Sequence, residues 1–236
     1  MMARKSLLGP TLFTLFGMIL LLGLGTWQLQ RLKWKEGLIA AREAAMTGTP
    51  VPLPATLGAA RALVYHRVRA EGRFLNYREL YLHAIAADGA AGYHILTPLA
   101  LGGGRFVLVD RGFVPEELKS PARRAAANTA GERSVTGVLR LPEQHGWFVP
   151  DNEPARNEWF FIDLPAMAAA AHVDSFPPFY LAADATPNPG GYPIGGQTRI
   201  DLPNHHLQYA ITWYSLAAAL LVFYVLLVRR HRGERT

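Results

Sequence analysis

The sequence predicts an α+β membrane protein in which two terminal transmembrane helices flank one extracytoplasmic, antiparallel, β-rich domain. That domain is expected to be a sheet or partly closed barrel with short helices. Three observations carry the expectation. Residues 6–30 hold no charged side chain, residues 202–228 hold none either, and the stretch between breaks into short alternating runs separated by Gly, Asn, Asp and Pro. A helix rises 1.5 Å per residue, so roughly 20 residues cross a hydrocarbon core about 30 Å thick. Both uncharged runs reach that length. Two buried helices of a soluble protein are the competing reading, but soluble core helices this long usually carry a polar stripe, which neither run has.

The first span is placed at 7–29. Arg4 and Lys5 would suit the charged region of a cleaved signal peptide, yet the apolar stretch is too long for one. It also runs into Trp27-Gln28-Leu29-Gln30-Arg31 with no small-x-small cleavage site. The run is therefore expected to stay as an anchor, and its start close to Met1 leads to the expectation that no mitochondrial targeting segment precedes it. The second span is placed at 207–228, ahead of the basic tail 229–236 with Arg229, Arg230, His231, Arg232 and Arg235. Its other flank holds only Asp201, His205 and His206. Lys and Arg collect on the cytoplasmic side of spanning segments, so both termini are expected in the cytoplasm and the domain 30–206 outside, in a periplasm. The net charge of +6 is shared between tails and domain, which reads as a topology signal; no nucleic-acid partner is expected. The chain has no cysteine, which excludes disulfides, thiolate nucleophiles, zinc–thiolate sites and Cys-bound copper or iron–sulfur centres.

Between the spans, Trp34–Met46 continues as an amphipathic helix until Thr47-Gly48-Thr49-Pro50 stops it, and Val51–Ala60 reads as a Pro-rich connector. Strands are expected at Tyr65–Gly72, Glu79–Ile85, Gly92–Leu99 and, after the turn Gly102-Gly103-Gly104, Arg105–Asp110. Their β-branched and aromatic content suggests an antiparallel meander. Leu118–Arg133 is polar and Ala/Arg-rich, as a surface excursion would be. Further strands are expected at Ser134–Leu141, Glu158–Ile162 and Phe179–Ala183, and a short helix at Leu164–His172, capped by Asp163 with Pro165 in its first turn. Gly190–Gly196 is a turn-rich approach to the second span.

Enzyme signatures are missing: there is no Gly-x-Ser-x-Gly elbow, His-Glu-x-x-His pair or phosphate-binding loop. Asp110, Asp151, Glu153 and Asp163 read as turn and cap residues. His66, His83 and His94 sit in alternating strands and are expected to face solvent, a metal site built from the three being the alternative. His205 and His206 stand where the second span begins. From His206, Ala210, Trp213, Ala217, Leu220 and Tyr224 recur at helical spacing, with Tyr209 beside them. The first span has a matching stripe of Thr11, Thr14, Met18, Leu21, Gly25 and Gln28, small and weakly polar residues that favour close helix packing. An imidazole among aromatic side chains suits an axial ligand of haem iron. The same Trp27, Trp34, Tyr209, Trp213 and Tyr214 would equally form an aromatic belt at a membrane surface.

Several ordered motifs carry a family resemblance over nearly the whole chain. They are Gly25-Thr26-Trp27-Gln28 with Arg31, Trp34 and Lys35; Gly92-Tyr93-His94-Ile95-Leu96-Thr97-Pro98; and Val109-Asp110-Arg111-Gly112-Phe113-Val114-Pro115. Pro150-x-Asn152-x-Pro154 then leads to Asn157-x-Trp159, and Pro193-Ile194-Gly195-Gly196-Gln197-Thr198-Arg199 precedes Asn204-x-His206-Leu207-Gln208-Tyr209 and Thr212-Trp213-Tyr214. In this order, between two terminal apolar segments, the chain resembles the Surfeit locus protein one (Surf/Shy) family of cytochrome c oxidase assembly factors. The resemblance implies a membrane-bound factor, not an enzyme, that binds or hands over haem a to subunit I of a haem-copper oxidase in a bacterial inner membrane. It implies His206 as axial ligand of the haem iron, Tyr209 and Trp213 as walls of the site, and oxidase subunit I and haem a synthase as partners. His205 occupies the position between Asn204 and His206. For Gly112, Pro115 and Asn152, turn-forming and packing roles are expected. Two alternatives stand beside this expectation: a cofactor-free scaffold holding oxidase subunits, and a membrane-anchored hydrolase relying on Asp110 or Asp163. The latter lacks any supporting nucleophile–base pair or metal-ligand spacing.

Overall fold

The computed structural model describes residues 6–86, 89–197 and 204–233. Helix α1 (Leu8–Thr47) takes up the whole first apolar run and the amphipathic stretch after it. Near its end the Thr47 hydroxyl donates to the Glu43 carbonyl at 3.0 Å, and Thr49, restrained by Pro50, turns the chain extended. The connector then supplies β1 (Val51–Pro52) and α2 (Leu57–Ala62), whose first turn is capped by the Thr56 hydroxyl accepting from the Ala59 amide at 3.3 Å. The alternating runs become β2 (Arg67–Phe74), β3 (Leu80–Ile85), β4 (Ala91–Gly102), β5 (Arg105–Pro115), β6 (Glu132–Arg140) and β7 (Glu158–Trp159). Helix α3 (Leu164–Ala170) follows, with Asp163 accepting from the Ala166 amide at 3.1 Å as its cap. Last come β8 (Tyr180–Ala183) and α4 (His206–Gly233).

The strands lie in the order β1-β2-β6-β8-β5-β4-β3-β7, and β2 also pairs with β4. That extra pairing closes β2, β6, β8, β5 and β4 into a five-stranded barrel, so the closure is complete where the sequence suggests a sheet or a partly closed barrel. Strand β4 makes it possible by serving two neighbours on one edge. Residues 91–96 pair with β3, whereas Leu99 and Ala100 pair with Phe74 and Arg73 of β2. Register shifts at His94/Leu96 and Ala100/Gly102 add the bend this requires. The crossing is tight: a Cβ on Gly72 would lie 2.3 Å from the Ala100 carbonyl oxygen, so a glycine is needed there.

Three pairings are parallel, β1–β2, β3–β7 and β5–β8, against the expectation of a purely antiparallel meander. The strands involved arrive after long connections, so no hairpin fixes their direction. The expected strand Glu158–Ile162 stops at Trp159 because the Phe160 and Phe161 amides donate to Asn152 Oδ1, at 2.8 and 3.2 Å, instead of to a neighbouring strand. Segment Leu118–Arg133 is not a mere surface excursion. It forms 3-10 turns at Glu116–Leu118 and Pro121–Ala127, and it buries Arg124 and Ala127.

Apolar alternation sets two large cores and a smaller cluster of Tyr93, Ile95 and Val114. Val68, Leu99, Val107 and Val109, Leu139 and Leu181 come from all five barrel strands and fill the interior. Leu80, Leu96 and Leu108, on the opposite pleat, pack with Trp159, Leu164 and Met167 under α3. The chain divides into two compact units: Met1–Ala41 with Asp201–Thr236, and Arg42–Ile200.

Candidate functional site

In the first unit, both α1 and α4 contain segments long and apolar enough to cross a membrane. Their mutual seam is built from small residues. Thr14 and Gly25 are the buried positions of α1, and Ala210 and Ala217 those of α4. All four belong to the stripes that helical spacing picks out. A Cβ on Gly25 would stand 2.9 Å from the Tyr214 ring, and one on Gly17 would stand 2.8 Å from Leu220. Hydroxyls satisfy each other across the seam: Thr11 with Tyr224 at 2.8 Å and Thr26 with Tyr214 at 3.1 Å. Thr11, Thr14 and Thr26 donate to the carbonyls of Leu7, Pro10 and Leu22 one turn back, so each of these three hydroxyls has a backbone partner in an apolar setting.

His206 is the first residue of α4 and faces Gln28, with 2.7 Å between Nδ1 and the side-chain carbonyl oxygen. An amide oxygen only accepts, so in this arrangement Nδ1–H donates, and Nε2 has no protein partner among the described residues. A metal-binding histidine is commonly oriented in this way, by a hydrogen bond from its second nitrogen. His205, one residue earlier, is exposed. Trp213 is half-buried on the face of His206, whereas Tyr209 lies on the flank and is 55% exposed. Among the described residues no side-chain hydrogen bond or ring stacking joins His206, Tyr209 and Trp213. The sequence stripe contained Gln28 and Tyr224 but did not pair them with His206 and Thr11. Tyr214, which lies against Gly25, belongs in the sequence to an aromatic belt and to the Thr212-Trp213-Tyr214 motif, neither of which points to that contact.

The central unit corrects the expectation for its histidines. His94 does not face solvent alone: its Nδ1 lies 2.7 Å from Asp110 Oδ2, and Asp110 Oδ1 accepts from the Gly112 amide at 2.9 Å. Burial pulls the His94 pKa down, but the charge and hydrogen bond of Asp110 outweigh it and the net direction is upward. His83 stacks on Phe160, with ring centroids 4.5 Å apart, and His66 is half-buried with Nδ1 at 3.3 Å from the Val64 carbonyl. Among the described residues no three His, Asp or Glu side chains converge as metal ligands. Asp110 is a strand residue, not a turn residue, and Asp163 is a helix cap.

Motif residues separated in sequence meet in this unit. Gly112, at φ +114°, brings its α-carbon against the Ile194 carbonyl, which a Cβ would approach to 2.0 Å. Phe113 and Ile194 exchange backbone hydrogen bonds of 3.0 and 2.9 Å. Asn152 holds the Phe160–Phe161 turn, as expected of a packing residue, and Asn157 donates to the Glu79 carbonyl at 2.8 Å while accepting from the Trp159 indole at 2.9 Å. The motif's Thr198 and Arg199, the flanking Asp201, the basic Arg4 and Lys5, and Arg235 lie outside the described residues.

The profile of the SURF1 family matches residues 15–218. The chain is 41% identical over 212 residues to Surfeit locus protein 1 of Mus musculus, a match covering 84% of this chain and 68% of that protein. It is 40% identical over 226 residues to a SURF1-like protein of Monosiga brevicollis, covering 91% and 85%, respectively. With Surfeit locus protein 1 of Homo sapiens the identity is 39% over 213 residues, covering 84% and 70%. The matched region takes in most of the first apolar helix, the whole barrel and the first part of the second apolar helix, and by these matches the chain belongs to the SURF1 family.

Proposed function

We propose that this chain is a membrane-bound assembly factor for a haem-copper terminal oxidase, that it is not an enzyme, and that it holds haem a at His206 for transfer to subunit I. The observation that carries the ligand assignment is the Gln28–His206 hydrogen bond, which orients the imidazole and leaves Nε2 as a donor atom. The surroundings fit a haem: the helix pair offers broad apolar surface, and the chain holds no cysteine to compete for the iron. Bound haem would supply the redox-active iron centre that the oxidase requires. The chain's own part is to fix the imidazole through Gln28, to flank the ring plane with Trp213 and Tyr209, and to tether the site in the lipid bilayer. In this reading α1 spans the membrane over 7–29 and α4 over 207–228. The tail 229–236 and the N-terminus lie in the cytoplasm of a bacterial cell, and the domain 30–206 lies in the periplasm. Haem a synthase is the natural donor and oxidase subunit I the acceptor.

A chain purified from membranes that make haem a is expected to carry haem a absorption. His206→Ala should remove that absorption while leaving membrane insertion intact; equal haem content in both proteins would sink the ligand assignment. A cofactor-free scaffold is the second reading, favoured by the loop tip Trp147–Phe148, whose side chains are fully exposed as a partner-docking pair would be. That reading expects co-purification with oxidase subunits and no haem spectrum.

A further inference from the structure

The barrel carries a second polar site, remote in sequence from the helix pair, where charges do not balance. Glu79, Arg111 and Arg124 are all buried, with 5%, 3% and 5% of their surfaces exposed. Arg124 takes both Glu79 oxygens, Nη1 to Oε1 at 3.0 Å and Nη2 to Oε2 at 2.5 Å, so the carboxylate is already neutralised. Arg111 reaches the same Oε1 only at 3.5 Å. Its other partners are neutral: Asn76 Oδ1 at 3.2 Å, the Ala127 carbonyl at 2.7 Å, and the Phe74 ring at 4.9 Å. Its Nε–H is buried and has no partner among the described residues. One guanidinium charge in the domain interior is thus uncompensated, an arrangement that is costly unless something completes it. Burial, the largest influence, pushes the Arg111 pKa below its ordinary value, with Arg124 adding to that effect and Glu79 opposing it.

Arg111 also lines a cavity of about 190 Å³. Its wall adds a second guanidinium, Arg133, which is exposed and has no ion-pair partner among the described residues, and the hydroxyls of Ser134 and Thr136. The acid in the wall, Asp184, is already engaged by Arg67 at 2.8 Å and by the Thr186 hydroxyl at 2.6 Å, and its pKa is lowered by those contacts despite its burial. The cavity therefore presents net positive charge, hydrogen-bond donors and an open demand for an acceptor at Arg111.

We infer that this cavity is an oxyanion-binding site, in which a phosphate or carboxylate group sits between Arg111 and Arg133 and balances the buried charge. The cavity holds one such group and little more, so the ligand is a small anion or the anionic end of a larger molecule. Planar guanidinium forks match both oxyanion types, and the two hydroxyls donate to either.

The test is calorimetric titration of the full chain in detergent micelles with inorganic phosphate, with acetate, and with chloride at matched ionic strength. Saturable binding of phosphate or acetate and none of chloride is expected, and the stronger of the two identifies the ligand type. A second arm with vesicles of phosphatidylglycerol, with and without competing free phosphate, tells a lipid headgroup from a soluble anion. Arg133→Gln, an exposed change that leaves the buried trio intact, should weaken binding about tenfold, and Arg133→Lys should restore part of it. Thr136→Val should weaken it less. The inference is overturned if the folded wild-type chain binds neither anion above the chloride control, or if Arg133→Gln binds as tightly as wild type.

Discussion

The helix pair and the barrel handle buried polar groups in opposite ways. Along the seam of α1 and α4 the polar contacts described contain no carboxylate, ammonium or guanidinium group: threonine meets tyrosine, and glutamine meets histidine. The threonine hydroxyls have a fallback, because they also reach the carbonyl a turn back. The barrel instead buries ions, and Glu79 has to serve Arg111 and Arg124 at once. In a setting read as lipid, where partners are scarce, redundancy keeps each contact cheap to lose. In a protein core, a charged network is costly to break at any point.

The sharpest way to break that contrast is Glu79→Gln. It leaves two buried guanidinium groups facing a neutral amide, and should destabilise the central domain by about 3–5 kcal/mol, read as a lowered denaturation midpoint. Unchanged stability would show that the trio is solvated and not a buried network. Gly112→Ala comes next. The residue sits at φ +114°, and the added methyl would meet the Ile194 carbonyl, so a loss on the order of 1–3 kcal/mol is expected from backbone strain alone. Hydrogen exchange at the Phe113 amide should rise with it.

Tyr214→Phe probes the other region. It removes the hydroxyl contact with Thr26 but keeps the ring against Gly25, so the helix pair should weaken by only about 0.6 kcal/mol in detergent-driven unfolding. A loss comparable with that of Glu79→Gln would erase the distinction between the two regions. The smallest effect is a pH dependence. His94 has a raised pKa when folded, so its contribution to stability is complete below the unfolded value of about 6.5 and fades as pH rises through the folded value. Wild type should therefore lose stability relative to His94→Gln between about pH 6.5 and the alkaline side of that window. A parallel pair of curves would place Asp110 elsewhere than beside a charged imidazole.

Both regions were legible in the sequence to different depths. The helices declared themselves because an uncharged run of spanning length has few other uses, and because period-3.6 stripes picked out Thr14, Gly25, Ala210 and Ala217, the four buried seam positions. The strands followed from alternation. Barrel closure did not, since it depends on β2 meeting the far end of β4 and on a four-residue β8 lying parallel to β5, pairings that no local pattern encodes. The polar pairs were hidden for the same reason. His94 and Asp110 lie on neighbouring strands, facing across a bulge, and Arg124 sits in a segment whose polar composition reads as surface. In the candidate haem site, His205 and His206 stood out by position, and the family resemblance singled out His206. Its orienting partner Gln28, at the far end of the sequence, becomes visible only once the two helices are packed.

The central claim is that the His206 imidazole supplies the bond to haem iron. The most direct measurement is the optical spectrum of His206→Gly, purified from membranes that make haem a, with and without added imidazole. The account predicts that wild type carries haem a, that the variant does not, and that imidazole restores the wild-type spectrum by filling the space the side chain leaves. A variant that holds haem a without imidazole, or a folded wild type that holds none, would contradict it.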